Sequence, residues 1–170
     1  MTTAALGLGS SLGDRQLWLR FALARLAVTP GIRVEKVSRC VVTPPLKGST
    51  ATGWFLNAAV RLQTALTADS LLRVCVDLEQ RAGRRRSSRW ADRTLDVDLL
   101  AYGDVIARLP GLTLPHPAIR ARPFVVQPLG EVWPEGVDPE SGETWYFVAK
   151  ASLQRPGVGR RPPRRVRPPR

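Results

Sequence analysis

Histidine, cysteine and methionine are scarce in this sequence: one His, two Cys and one Met among 170 residues. A single histidine, His116, cannot supply the clustered ligands of a zinc site, and Cys40 and Cys75 lack C-x-x-C spacing. Each cysteine sits in an apolar, periodic stretch, which reads as two buried reduced thiols and not as a disulfide. No run of about 18 apolar residues occurs, so no transmembrane helix is expected. The stretch Met1 to Gly9 has no basic leader and reads as a strand, which leaves the cytoplasm as the expected compartment. The run G-x-x-x-x-G-K-[ST] is missing too, which excludes a P-loop.

What is present is an ordinary globular balance, 44% hydrophobic and 24% charged, at a length that suits one domain. The net charge of +12 is unevenly spread. Eight basic residues and no acidic ones lie between Lys150 and Arg170, leaving 18 basic against 14 acidic residues elsewhere. Residues 1–150 therefore read as the domain. Residues 151–170 read as a Pro/Arg-rich tail that cannot build a core and is expected to be disordered. Its charge permits weak binding to nucleic acid or another polyanion.

The hydrophobic pattern predicts strands over Thr3–Gly9, Ile32–Val42, Leu56–Gln63 and Thr94–Gly103. It predicts a helix from Asp14 to about Val28, with Leu17, Phe21, Ala24 and Val28 on its inner face. A second helix, from about Thr67 to Gly83, turns Leu71, Cys75 and Leu78 inward. Gly7, Gly9 and Gly13 read as a tight strand-to-helix turn, and Ala118–Arg122 as a short helix. The order β-α-β-β-α-β specifies an α+β, ferredoxin-like sandwich with both helices on one face of an antiparallel sheet, followed by a C-terminal extension.

The last strand carries the most chemistry. Side chains alternate along a strand, so Asp96 and Asp98 emerge on one face about 7 Å apart, while Leu95, Val97 and Leu99 turn to the other. Two like charges this close call for a cation, and hard oxygen ligands suit Mg²⁺. Taken alone, the pair reads equally as two solvated aspartates. The run Gly83 to Arg93, with Arg84, Arg85, Arg86, Arg89 and Arg93, leads straight into this strand. Fixed arginines beside metal-binding carboxylates form a site for a metal-bound polyphosphate. His116, held between Pro115 and Pro117, and Arg122 add candidate phosphate contacts. Phe55, Trp90 and Phe124 are each explained by core packing, but together they suit a flat heterocycle whose edge Asn57 would read.

Over residues 4 to 135 the chain resembles the 6-hydroxymethyl-7,8-dihydropterin pyrophosphokinases of folate biosynthesis. The resemblance rests on Leu6-Gly-Leu-Gly-Ser-Ser-Leu-Gly-Asp14, Thr43-Pro-Pro-Leu46, Trp54-Phe-Leu-Asn57, and Glu79 with Gly83-Arg84. It continues through Arg89-Trp90, Arg93-Thr-Leu-Asp-Val-Asp98, Leu114-Pro-His-Pro117 and Arg122-Pro-Phe124. The resemblance implies transfer of the β,γ-diphosphate of ATP to the pterin hydroxymethyl group, releasing AMP. It implies two Mg²⁺ ions on Asp96 and Asp98, with Arg84 and Arg93 acting on the phosphates. It also implies ATP contacts from Arg86, Trp90, Leu99, Thr113, His116 and Arg122. The pterin pocket would comprise Thr43, Pro44, Leu46, Phe55, Asn57, Trp90 and Phe124. No membrane partner is expected, and the enzyme is expected to be a monomer.

Phe55 stands where a tyrosine is frequent in the family, Ser11 where asparagine is usual, and Gly111 where some members place an ATP-binding arginine, a contact that Arg108 is the candidate to replace. An RNA-recognition domain shares the element order, but the basic-aromatic strand pattern it needs is missing, and Asp96 and Asp98 would repel RNA. A non-catalytic relative is argued against by the intact Arg84, Arg93, Asp96 and Asp98.

Overall fold

A computed structural model of the chain describes residues 1–84 and 91–154 and, beyond them, the main chain of Arg165 and Val166. The chain opens with β1 (Thr2–Ser10) and α1 (Arg15–Ala27). The Asp14 carboxylate accepts from the Leu17 N–H at 3.0 Å and caps α1 as expected. The buried seam of α1, however, is Leu19, Ala22 and Leu26, while Leu17 and Val28 are 55% and 69% exposed. Apolar residues encircle most of this helix, so spacing alone leaves two stripes competing. Trp18 and Phe21, edge to face at 6.0 Å and packed on the core, settle which one turns inward.

Next come β2 (Ile32–Val37) and β3 (Cys40–Thr43), where the sequence predicted one strand. Ser38 makes the break. Its N–H donates to the Ala59 carbonyl and its hydroxyl accepts from the Ala59 N–H, both at 2.9 Å, while Arg39 turns away to Glu131. After β4 (Phe55–Thr64), α2 (Ala68–Arg81) starts at Thr67, whose hydroxyl accepts from the Ser70 N–H at 3.2 Å. Leu71, Cys75 and Leu78 are buried, as the pattern predicts, and both cysteines are free and buried. Then follow β5 (Asp96–Tyr102) and the hairpin β6 (Ala107–Leu109) and β7 (Leu112–Leu114). The chain continues with α3 (Pro123–Val132), α4 (Trp145–Ser152) and the two-residue β8 (Arg165–Val166).

The architecture is α+β. The main sheet is antiparallel in every pairing, with β5, β1 and β4 side by side, β2 and β3 along the far edge of β4, and β8 beside β3. One face buries Ala4, Leu6, Leu8, Val60 and Leu62 with Leu95, Val97 and Leu99 under α1 and α2. The other face is not left open, as the sequence implied. Ala5, Ala59, Leu100 and Ala101 meet Val126, Leu129 and Val132 of α3 and Trp145 and Val148 of α4.

The predicted helix over Ala118–Arg122 is a series of turns. Pro123 explains the shift: it suits the first turn of a helix but drives the preceding Arg122 to extended backbone, φ −122° and ψ 99°. The helix therefore begins at Pro123 instead of ending there. Of the tail, residues 155–164 and 167–170 lie outside the described residues, as does the expectation made for them. Among the described residues, no helix is long and apolar enough to cross a membrane.

Gly130 is where α3 and α4 touch. A Cβ there would lie 2.7 Å from the Ala149 Cβ and 2.9 Å from the Trp145 carbonyl oxygen. We expect Gly130→Ala to lose about 1–3 kcal/mol from overpacking, more than the roughly 1 kcal/mol that alanine adds in helix propensity. Thermal unfolding should show a lower Tm; an unchanged Tm would mean that α4 shifts freely.

Candidate active site

The register of β5 on β1 builds the floor of a cleft. Gly9 pairs with Asn57 on one side and Asp96 on the other, and Gly7 with Ala59 and Asp98. These cross-strand rows place Asn57, Gly9 and Asp96 on one face, and Ala59, Gly7 and Asp98 on that same face. Both carboxylates thus emerge together, as predicted, with Val97 and Leu99 turned into the opposite core. Gly7 and Gly9 are therefore not part of a turn but strand residues whose missing side chains open the floor. A Cβ on Gly9 would reach within 3.3 Å of Asn57 Oδ1, and one on Gly7 within 3.3 Å of a Leu100 methyl. Only Gly13, at φ +64°, serves the turn.

About 780 Å³ of empty space, part of it open to solvent, lies over this floor. At one end stand Thr43, Pro44, Leu46, Phe55 and Asn57, with Phe124 of α3. Asn57 is buried and its amide donates to Thr43 Oγ1 at 3.0 Å, which aims it. At the other end stand Asp96, Asp98, Arg93 and Arg122. The cleft thus brings together ten of the predicted site residues.

Charge is arranged unequally between the two aspartates. Asp96 Oδ1 receives Arg84 Nη1 at 2.7 Å and Arg93 Nη1 at 2.9 Å. Arg84 is also paired with Glu79, whose Oε1 accepts from the Val97 N–H at 2.8 Å. Burial raises the Glu79 carboxyl above its ordinary range, against the opposing pull of Val97 and Arg84. Asp98 has no such guanidinium on it. Its one ion-pair neighbour among the described residues is His116, Nε2 to Oδ1 at 4.0 Å. Desolvation, then the charges of Asp96 and Glu79, push the Asp98 carboxyl up to about 7, although its side chain is 37% exposed at the cleft.

His116 Nδ1 accepts from the Ala118 N–H at 3.2 Å, so the neutral ring carries its proton on Nε2, toward Asp98. Burial, helped by the charge of Arg122, lowers the His116 pKa and favours that neutral form.

Other predicted positions fall elsewhere. Leu99 is 3% exposed in the helix-covered core, which leaves only its main chain for a nucleotide. Thr113 pairs with Arg108 in the β6–β7 hairpin and does not line the cleft. Arg108, the candidate to replace an arginine at 111, is paired with Glu140 and donates to the Leu114 carbonyl, 2.6 Å away. Arg86 and Trp90 lie outside the described residues. The residues whose part went unread are Gly7, Gly9, Ser49, Leu100 and Val125 in the cleft wall, and Glu79 behind Arg84. Glu79 was visible in a motif, but its role depends on α2 running beside β5.

Residues 5–134 match the family described as 7,8-dihydro-6-hydroxymethylpterin-pyrophosphokinase (HPPK). The chain belongs to this family. It is 46% identical over 160 residues to the 2-amino-4-hydroxy-6-hydroxymethyldihydropteridine pyrophosphokinase of Methylorubrum extorquens, covering 94% of this chain and 99% of that protein. The enzyme of the same name from Bacillus subtilis is 38% identical, covering 91% of this chain and 93% of the relative. Among solved structures, Plasmodium falciparum HPPK-DHPS superposes with a TM-score of 0.65 at 14% identity. That match covers 89% of this chain and 43% of the longer protein, and it speaks for the fold alone.

The raised carboxyl of Asp98 gives a pH prediction. Its folded pKa, about 7, lies above the ordinary Asp value of about 3.9, so folding favours the protonated form. Its stabilising contribution is complete below about pH 4 and is lost as pH rises through 7. Asp98→Asn should therefore raise the Tm of the metal-free protein by a few degrees at pH 8, roughly the shift of 1 kcal/mol or less, and leave it unchanged near pH 4. Differential scanning calorimetry at the two pH values checks this.

Proposed function

We propose that this chain transfers the β,γ-diphosphate of ATP to the hydroxymethyl group of 6-hydroxymethyl-7,8-dihydropterin, giving AMP and the pterin diphosphate, a step of folate biosynthesis. Family membership supports the reaction class. The observation that carries the reading is one cleft in which a carboxylate pair flanked by arginines adjoins a slot edged by Phe55, Asn57 and Phe124.

A divalent metal fits the residues present. Asp98 is a carboxylate disfavoured in its charged form by burial and by Asp96 and Glu79, an effect that the nearby charges of Arg122 and Arg93 only partly offset, and this is the electrostatic condition a cation relieves. Mg²⁺ usually takes one or two carboxylates and completes its shell with water and phosphate, a donor set that Asp96 and Asp98 can supply. We assign Asp96 and Asp98 to hold two such ions, which when bound screen phosphate charge and make the pterin hydroxyl a better nucleophile.

The chain's own groups do the rest. Phe55 and Phe124 offer ring faces for the pterin, and Asn57, aimed by Thr43, reads its edge. Thr43, Pro44 and Leu46 line that end, where on the family pattern Thr43 and Leu46 would read the pterin through main-chain groups. Arg84 and Arg93, held on Asp96 here, are placed to exchange that partner for phosphate oxygens and to stabilise the charge that develops during transfer. Glu79 keeps Arg84 within reach during the exchange. His116, neutral, donates from Nε2, and Arg122 adds fixed positive charge beside it. Arg86, Trp90, Leu99 and Thr113 remain ATP contacts on the family pattern, with Leu99 acting through its main chain. The fully antiparallel order β5-β1-β4-β3 supports a ferredoxin-like description of the domain. We assign the enzyme to the cytoplasm as a monomer, with the tail outside the reaction.

Incubation with ATP, Mg²⁺ and hydroxymethyl-dihydropterin should yield AMP and pterin diphosphate; ADP as product would sink the assignment. Asp98→Ala should cut kcat by about 100-fold or more, equivalent to about 3 kcal/mol of transition-state stabilisation, with folding intact by circular dichroism. An unfolded variant would instead mark the pair as structural. Truncation after Gln154 should leave kcat and both KM values unchanged, and a large loss would place the tail in the mechanism.

A further inference from the structure

Asp92 lies outside the cleft, yet three distant segments meet on it. Its carboxylate accepts from the Thr52 N–H at 2.9 Å, the Thr52 hydroxyl at 3.1 Å and the Gly53 N–H at 3.1 Å. Burial works against its charge. The donors at Thr52, Ser11 and Gly53 overcome that and hold the carboxyl below the usual range. Beside it, the Arg93 N–H donates to the Ser11 hydroxyl at 3.0 Å, and the Arg93 carbonyl accepts from the Ser11 and Leu12 N–H groups at 2.9 and 3.2 Å. Gly53 is locked into the same knot. A Cβ there would sit 2.8 Å from the Ser11 carbonyl oxygen and 3.0 Å from Asp92 Oδ1.

The geography gives this joint meaning. Residues 46–53 carry Leu46 and Ser49 along the ring end of the cleft and run directly into Phe55 and Asn57. Residues 91–93 form the arm that enters β5, and Arg93 at its end lies on Asp96. We propose that Asp92 is a positioning residue that locks the ring-side loop to the phosphate-side arm, so that a pterin settling in its slot also fixes Arg93. The reaction it serves rests on the function proposed above; the joint itself does not. A carboxylate is needed because two N–H groups and two hydroxyls converge on it. An asparagine would turn an N–H toward one of those donors and lose at least one bond.

The test is Asp92→Asn, near-isosteric and on the surface, read in two ways. Amide hydrogen exchange of the free protein should be about tenfold faster at Thr52, Gly53 and Arg93 together, while the amides of β4 keep their wild-type rates. Steady-state kinetics should show kcat about tenfold lower and the pterin KM several-fold higher, with the ATP KM little changed. Asp92→Glu, which keeps the carboxylate, should recover part of both losses. Faster exchange at Thr52 and Gly53 with Arg93 unchanged, or wild-type kinetics in Asp92→Asn, would overturn the proposal. A wild-type protein with the coupled exchange but no pterin diphosphate would refute the reaction and leave the joint standing.

Discussion

Two carboxylates on one face of β5, set against a strip of glycine, govern the rest of the site. The strand period alone brings Asp96 and Asp98 to the same side. The β1 register then leaves Gly9 and Gly7 beside them, so β1 contributes no side chain to the floor at these positions. Such an arrangement is unfavourable by itself. The protein answers it asymmetrically, giving Asp96 two guanidinium groups and leaving Asp98 with a neutral imidazole at 4.0 Å. Desolvation, then the charges of Asp96 and Glu79, raise the carboxyl of Asp98, and that is the electrostatic condition on which the proposed cation site rests.

The second face of the sheet serves two purposes. Its outer half packs against α3 and α4 through Leu100, Val126, Leu129 and Trp145. The uncovered half is the cleft, and the boundary between them is the start of α3, where Arg122, Phe124 and Val125 all line the wall. Arg120, paired with the buried Asp138, anchors the turns that lead into this helix. Packing and chemistry therefore share one element: the helix that closes the second core also delivers an aromatic and a cation to the site.

Much of this was legible in the sequence. The alternation of β5 yielded the acidic pair and its inward partners without any three-dimensional knowledge. The order of strands, the cap at Asp14, the start of α2 near Thr67 and its inner face followed from local pattern as well. What stayed hidden was what depends on neighbours far along the chain. Of two competing stripes on α1 the pattern picked the wrong one, and the break at Ser38 exists because of Ala59 on another strand. Gly7 and Gly9 looked like turn residues because their value lies in what stands across from them. Proline spacing after residue 110 hid α3, whose start is set by Pro123, and with it the covering of the second face. At the site, the pairing of Glu79 with Arg84 and of Asp92 with Thr52 and Gly53 is visible only in the packing of α2 and the 46–53 loop.

The central claim is electrostatic: the cleft holds a carboxylate that its fold keeps uncomfortable until a cation arrives. Carbon-13 NMR of the aspartate side-chain carboxyls, with Asp98 assigned through Asp98→Asn, reads this directly. In the metal-free protein Asp98 should titrate near 7, and with Mg²⁺ and a non-hydrolysable ATP analogue its midpoint should drop to the ordinary carboxylate range or below. A carboxyl that titrates near 4 without metal and does not respond to the magnesium nucleotide would contradict the account.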